Sequence, residues 1–265
     1  HGWAALVCLL VVLATAGALA LVWLGVPLVD RTTALSIHVA FAAYGFMGLL
    51  ALGLSYILVP MFALSDAPDE RQAIASCLLA SAALAFAAQA AFGVAPQGLR
   101  VIAIALGAVA VALHLHLMRR ALRGGMRRDL GRSFALVRIG WAMLVLGLVA
   151  ALGIALDAPL DGLATLFGVL LIVGWLLTFL LGILQRIVPF LASMHKPPGK
   201  RPPRTPSSLT DDRPLAVHFW CHLAARALLA LAVAVDSAPI AALAALVGTA
   251  GAAAYGAFFV ILLQR

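Results

Sequence analysis

The chain alternates long apolar runs with short polar gaps. Eight runs, bounded by charged residues, Pro and Gly, cover Trp3 to Leu24, Thr33 to Phe62, Arg71 to Phe92, Leu99 to Met118, Phe134 to Leu156, Gly162 to Met194, Leu215 to Val235 and Ile240 to Leu263. A helix needs about 20 apolar residues to cross the hydrocarbon of a bilayer, and each run is of that order. The apolar positions are continuous, whereas a transmembrane strand shows apolar and polar positions in alternation. The pattern predicts an all-α fold, a polytopic bundle of about eight transmembrane helices, with residues 1–265 forming a single integral-membrane domain.

Composition agrees with that pattern and removes other classes. Of the 265 residues, 65% are hydrophobic and 11% charged, against about 25% charged in a typical soluble domain. Disorder and a soluble globule are both excluded, and eight spans leave no length for a folded extramembrane domain. The net charge of +8 invites a nucleic-acid reading until the charges are placed. All ten acidic residues lie in the gaps, and the basic residues cluster in two of them. The excess therefore reports topology, and no nucleic-acid partner is expected.

Arginine sets the expected orientation. The fourth gap holds Arg119, Arg120, Arg123, Arg127, Arg128 and Arg132, the sixth holds Lys196, Lys200, Arg201 and Arg204, and the chain ends at Arg265. All three fall on one side of an eight-span trace, which predicts cytoplasmic N- and C-termini in a bacterial inner membrane. The opposite gaps are short, and three carry an Ala-Pro step (Ala95-Pro96, Ala158-Pro159, Ala238-Pro239) suited to the first turn of the next helix. Segment 195–212 is a basic, Pro-rich cytoplasmic loop, either simply solvated or a contact for anionic lipid or a partner subunit. Cys8, Cys77 and Cys221 lie singly in apolar runs and indicate neither disulfides nor a thiolate metal site. Repetition along the chain goes no further than a helix, Ala-Pro, helix rhythm, which does not support an inverted repeat of the transporter kind.

Ionisable side chains inside the spans carry the functional signal, because each costs a few kcal/mol in hydrocarbon. His218, His222 and Arg226 recur every fourth residue and share one helix face. Arg226 lies about 19 Å along its helix from Arg213, too deep for easy snorkelling. Arg186, three residues before Pro189, and Arg138 are also inside spans, and His114 and His116 lie near the basic end of the fourth. No carboxylate is expected at that depth. An anionic ligand resolves the deficit: haem, whose iron takes imidazole and whose propionates pair with arginine, or a quinone headgroup or anionic lipid. The plainer reading makes His114 and His116 interfacial residues.

His38 is the ionisable group of the opposite half. It opens the run His38-Val-Ala-Phe-Ala-Ala-Tyr-Gly-Phe-Met-Gly, which leads to Val59-Pro60-Met61 and Ala67-Pro68-Asp69. This segment of about 35 residues resembles helix two of the haem-copper oxidase catalytic subunit and of NnrS-like bacterial haem membrane proteins. There, a histidine near the outer end ligates the low-spin haem, and a Gly-rich stretch, a Val-Pro step and an Ala-Pro-Asp turn follow. The resemblance implies that His38 is an axial haem ligand. It stops at the copper site, since that family has twelve helices, a His-x-His on helix ten and further copper histidines, whereas His114-Leu-His116 falls at an inner helix end. The stretch Gln185-Arg186-Ile-Val-Pro189-Phe-Leu resembles one in uncharacterised proteins that share the helix-two motif.

The expected function is a haem b-binding membrane protein that transfers electrons or serves as an accessory subunit of a respiratory or redox complex, in contact with membrane lipid and protein subunits. His38 and His222 are the candidate iron ligands. His114, His116, His218, Arg138, Arg186 and Arg226 are the candidate cofactor-binding residues, for haem or a quinone. The alternatives are a transporter or metal-insertion factor with a His-lined polar path, and a structural subunit whose Arg226 stripe faces a partner helix or lipid.

Overall fold

The computed structural model describes residues 1–127, 129–194 and 205–264. Among them the chain is all-α. Eight long apolar helices span Gly2–Trp23, Arg31–Ala63, Glu70–Ala91, Pro96–Gly124, Gly131–Ala155, Leu163–Met194, Asp212–Ala234 and Ala238–Gln264, numbered here as spans one to eight. A ninth helix, Pro206–Leu209, is a single turn. The protein is a polytopic helical membrane protein. Only helices satisfy their own backbone N–H and C=O groups where water is absent, so continuous apolar sequence of this length becomes helix. The fourth span runs past Met118 through Arg119, Arg120 and Arg123 to Gly124. Residues 195–204, Arg128 and Arg265, with Lys196, Lys200, Arg201 and Arg204 of the basic loop, lie outside the described residues.

Local chemistry sets the helix ends. The Asp30 side chain accepts from the backbone N–H groups of Thr32 and Thr33 and caps the second span. Asp69 accepts from Gln72 N–H before the third, and Asp211 from Arg213 N–H before the seventh. Each supplies an acceptor to N–H groups that have no partner within the helix. Pro96 opens its helix as the Ala-Pro step predicts, and Pro239 lies in the first turn of the eighth span. Pro159 does not open a helix. The sixth span starts at Leu163, after Gly162 has turned the chain at a φ of 73°, a left-handed value that glycine adopts at little cost.

Two spans depart from α pitch. The second widens to π-helical geometry over Phe41–Gly48, and the sixth over Val169–Leu177. Each carries a proline further on, Pro60 and Pro189. Such widening shifts side chains around the helix and leaves carbonyls available to side-chain donors.

The chain forms two compact units, His1–Leu130 with Val145–Pro159, and Gly131–Leu144 with Leu160–Arg265. The fifth span begins in the second unit and ends in the first. In the first unit, Ala5, Cys8, Leu49 and Leu84 make a core with Tyr44 and Phe46 packed on it. Gly45 is needed there, since a Cβ on it would lie 2.9 Å from Cys8 Cβ. In the second unit, Leu215, Tyr255, Phe258 and Leu262 pack with Leu181 and Leu184. Trp3, Ile57, Leu246 and many other large apolar side chains are exposed. On a membrane-spanning helix these face lipid, which replaces the protein core as the apolar solvent.

Candidate functional site: a histidine and arginine cavity in the second unit

A cavity of about 400 Å³ lies among the sixth, seventh and eighth spans. Its walls are apolar: Val173, Leu177 and Leu181 on one side, and a strip of Ala241, Ala244, Ala245 and Gly248 on another. Small residues every three to four positions keep the eighth span's surface low along that strip. His218, His222, Arg226 and Tyr255 supply the polar groups, and no carboxylate lines the cavity. This is the usual composition of a small-molecule site, an apolar pocket with a few convergent polar groups.

The hydrogen bonds fix what each imidazole can offer. His218 Nδ1 lies 3.1 Å from the Gly251 carbonyl oxygen, which only accepts, so in the neutral ring Nδ1 carries the proton and Nε2 the lone pair. That Nε2 is buried and has no partner. A histidine held through Nδ1–H by a backbone carbonyl, with Nε2 free, is the arrangement found in metal-ligating histidines. His222 is held the other way. Thr178 Oγ1 donates to the Val173 carbonyl at 2.7 Å, five residues back along the π-helical stretch, and so accepts from His222 Nε2–H at 2.7 Å. The basic nitrogen of His222 is therefore Nδ1. The two rings stack with centroids 5.7 Å apart at 25°, and Tyr255 packs on His218 at 4.6 Å. Arg226 lies one further turn along from His222, its Nη1 buried without a partner. A half-buried guanidinium with one buried, unpartnered nitrogen and no carboxylate in the cavity favours a ligand that brings an anionic or accepting group.

Of the residues singled out from the sequence, His218, His222 and Arg226 come together as their four-residue spacing requires. The others stand apart. Arg186 donates from Nε to Ser133 Oγ at 2.8 Å, and Arg138 is exposed on its helix. His38, His114 and His116 belong to the first unit. His114 is fully buried, with Tyr56 edge-on at 5.1 Å, while His116 two residues later is exposed. On a helix, two residues apart means nearly opposite faces, so His114-Leu-His116 does not act as a pair. His38 is half-buried, and its Nδ1 lies 3.1 Å from Thr15 Oγ1. The Thr15 hydroxyl donates to the carbonyls of Val11 and Val12, so it accepts from His38 Nδ1–H and leaves Nε2 as the lone-pair nitrogen.

No family model, curated protein or solved structure matches the chain. The site is therefore read from its own chemistry. For haem, His218 fits as an iron ligand through Nε2, Arg226 as a partner for a carboxylate, and the Ala and Gly strip as a flat wall. His218 and His222 project from one helix face and do not face each other, so they do not clamp a macrocycle from two sides. Among the described residues no group of three or more His, Cys, Asp or Glu gathers as a metal site. Thr178, Gly251 and Tyr255 did not emerge from the sequence. Thr178 is the single polar residue in the run from Val169 to Leu184, and that isolation is the one signal pointing to it.

Proposed function

We propose that this multi-pass membrane protein binds b-type haem in its second unit and serves electron transfer, or acts as an accessory subunit of a redox complex, in a bacterial inner membrane. The observation that carries the reading is His218, which lines an apolar cavity and whose Nδ1–H is tied to a backbone carbonyl while its buried Nε2 has no hydrogen-bond partner. His218 would hold the iron, Arg226 would pair with a propionate, and Val173, Leu177 and Leu181 would exclude water. Bound haem would supply one-electron redox chemistry at a potential set by burial and axial ligation. The resemblance around His38 supports a second ligand position in the first unit, where Thr15 fixes the same tautomer.

The test is a reduced-minus-oxidised spectrum of protein purified after expression with added haem precursor. A haem b α-band is expected, diminished in His218→Ala, with the remainder lost when His38→Ala is added, and unchanged in His116→Ala. Absence of the band from the wild-type protein under those conditions would sink the reading. The one-sided placement of His218 and His222 favours a second reading, a quinone whose carbonyl accepts from Arg226 while its apolar part fills the cavity. Saturable quenching of tryptophan fluorescence by decylubiquinone in a haem-free preparation, abolished in Arg226→Leu, would select it.

A further inference from the structure

The two halves of the chain, spans one to four and five to eight, share features that a common membrane environment does not explain. Their first turns end the helix with the same three hydrogen bonds, a common helix C-terminal pattern that Phe92, Gly93 and Val94 also make, on similar sequences. Leu24, Gly25 and Val26 donate to the carbonyls of Ala20, Val22 and Leu21, and Leu156, Asp157 and Ala158 donate to those of Leu152, Ile154 and Gly153. The sequences there are Leu24-Gly-Val-Pro-Leu28 and Leu156-Asp-Ala-Pro-Leu160, with positive φ at Gly25 (78°) and Asp157 (51°). Asp is among the few non-glycine residues that adopt that conformation, so both sequences suit the same turn.

The second and sixth spans align next. Gly45, Gly53, Val59-Pro60 and Ala63 each recur 129 residues later as Gly174, Gly182, Val188-Pro189 and Ala192. The π-helical stretches, Phe41–Gly48 and Val169–Leu177, fall at matching places. The glycines do the same work in both halves. A Cβ on Gly45 would meet Cys8 Cβ at 2.9 Å and one on Gly174 would meet Met143 Cβ at 3.1 Å. Two turns on, Gly53 faces His1, and Gly182 faces Ser133, Val137 and Leu136. Cys8 and Met143 are 135 residues apart, and His1 and Ser133, the nearest neighbours of Gly53 and Gly182, are 132 apart, the spacing of the two first turns, so the first and fifth spans meet their neighbours within one helical turn of the same register.

The third and seventh spans open on Asp69-Glu-Arg71 and Asp211-Asp-Arg213, with the first Asp the cap in each. Seven residues past each cap a side chain donates to a carbonyl midway along the following span, Ser76 Oγ to Ala110 and His218 Nδ1 to Gly251. The third turns also agree, with positive φ at Gly93 and Asp236, each two residues before Ala-Pro. Val94 donates to Gln89 and Ser237 to Ala232.

We propose that the chain is a head-to-tail duplication of one four-span module, and that the ligand site is a specialisation of the second copy alone. Counting from the Asp caps, the places of His218, His222 and Arg226 are taken in the first copy by Ser76, Ala80 and Leu84. Leu84 is buried against Ala5, Cys8 and Leu49, so the place of the cavity's guanidinium is filled with apolar core. The first copy keeps the structural bond from its third to its fourth span, through Ser76; its buried imidazole there, His114, stands on the fourth span against Tyr56 instead of on the third, and no cation takes the place of Arg226.

Cross-linking tests the duplication in the full chain, independently of what the site binds. In a Cys77→Ala/Cys221→Ala background, Cys8 paired with Gly45→Cys is expected to form an oxidant-dependent intrachain disulfide once the helices part from the built Cβ–Cβ separation of 2.9 Å to disulfide spacing. With Cys8→Ala added, Met143→Cys paired with Gly174→Cys is expected to do the same. Bridging in one half and not the other overturns the equivalence. Each variant's insertion is checked by its monodisperse elution in detergent, and dibromobimane, a short thiol-bridging reagent, replaces oxidation for a pair that elutes normally and does not oxidise. The confinement of the site rests on the proposed haem binding and is read by titration with hemin. One equivalent per chain at this position, lost in His218→Ala and retained in Ser76→Ala, is expected. A loss of binding in Ser76→Ala, with the disulfides intact, overturns the confinement. No hemin binding by the wild-type chain overturns the haem reading, and the two cysteine pairs still decide the duplication.

Discussion

Replacing Thr178 by Val removes one hydroxyl and keeps the volume of the side chain. That hydroxyl accepts from His222 Nε2–H and donates to the Val173 carbonyl, both at 2.7 Å. Thr178 is 0% and His222 8% exposed, so water does not replace the lost acceptor. An orphaned buried donor costs about 1–3 kcal/mol, while hydrogen bonds between membrane helices measure about 0.6 kcal/mol on average and about 1.7 at most. The complete burial of Thr178 places this bond near the top of the membrane range, at about 1.5 kcal/mol. A double-mutant cycle with His222→Ala isolates the pair, since Thr178→Val in the His222→Ala background no longer strands a donor. Unfolding in mixed dodecylmaltoside and dodecylsulfate micelles supplies the free energies. Tryptophan fluorescence reports the transition, because Trp175 is buried three residues from Thr178. Thr178→Ser keeps donor and acceptor and should recover most of the stability. A coupling below about 0.3 kcal/mol would refute the assignment of His222 Nε2 as a proton donor to Thr178.

Gly182→Ala should destabilise by about 2 kcal/mol, because the new Cβ would lie 2.7 Å from the Ser133 carbonyl oxygen and 3.1 Å from Leu136 Cβ, contacts that backbone must move to relieve. Gly107→Ala meets nothing closer than 3.9 Å and should be neutral or stabilising in the same unfolding assay. Arg226→Leu should raise the stability of the ligand-free protein by about 1 kcal/mol, because a partly desolvated cation is replaced by a shorter apolar group. The same variant should weaken ligand retention, and a loss of stability would argue that Arg226 has a structural partner. At the start of the second span, the Thr32 hydroxyl and the backbone N–H groups of Thr33 and Thr32 hold the Asp30 carboxyl below its ordinary range. A depressed folded value means that the carboxylate's contribution is complete above the unfolded value of about 3.9 and fades as pH falls through the folded one. Thermal midpoints measured from pH 6 down to pH 2.5 should therefore drop less steeply in Asp30→Asn than in the wild type, and identical slopes would count against the cap.

The stripe of His218, His222 and Arg226 was legible in the sequence because a four-residue spacing on a helix places side chains on one face whatever the tertiary structure. The eight spans were legible for a related reason: in lipid, backbone polar groups are satisfied within the helix, so apolar length alone predicts the element. The opposed fates of His114 and His116 follow from helix geometry, but which of them is buried depends on the neighbours the fourth span packs against. Pro159 looked like a helix opener and is not one, since the turn continues to Gly162.

What the sequence by itself determined is the number and extent of the membrane helices and the line of imidazoles and guanidinium along the seventh. Only the tertiary structure decided which nitrogen each imidazole offers. Gly251 and Thr178, the groups that set the two tautomers, are 33 residues from His218 and 44 residues from His222 in the chain, and the π-helical stretch turns Thr178 toward Val173. Helix periodicity relates residues within one span. The proton positions that give this site its chemistry depend on contacts between spans, which periodicity does not encode.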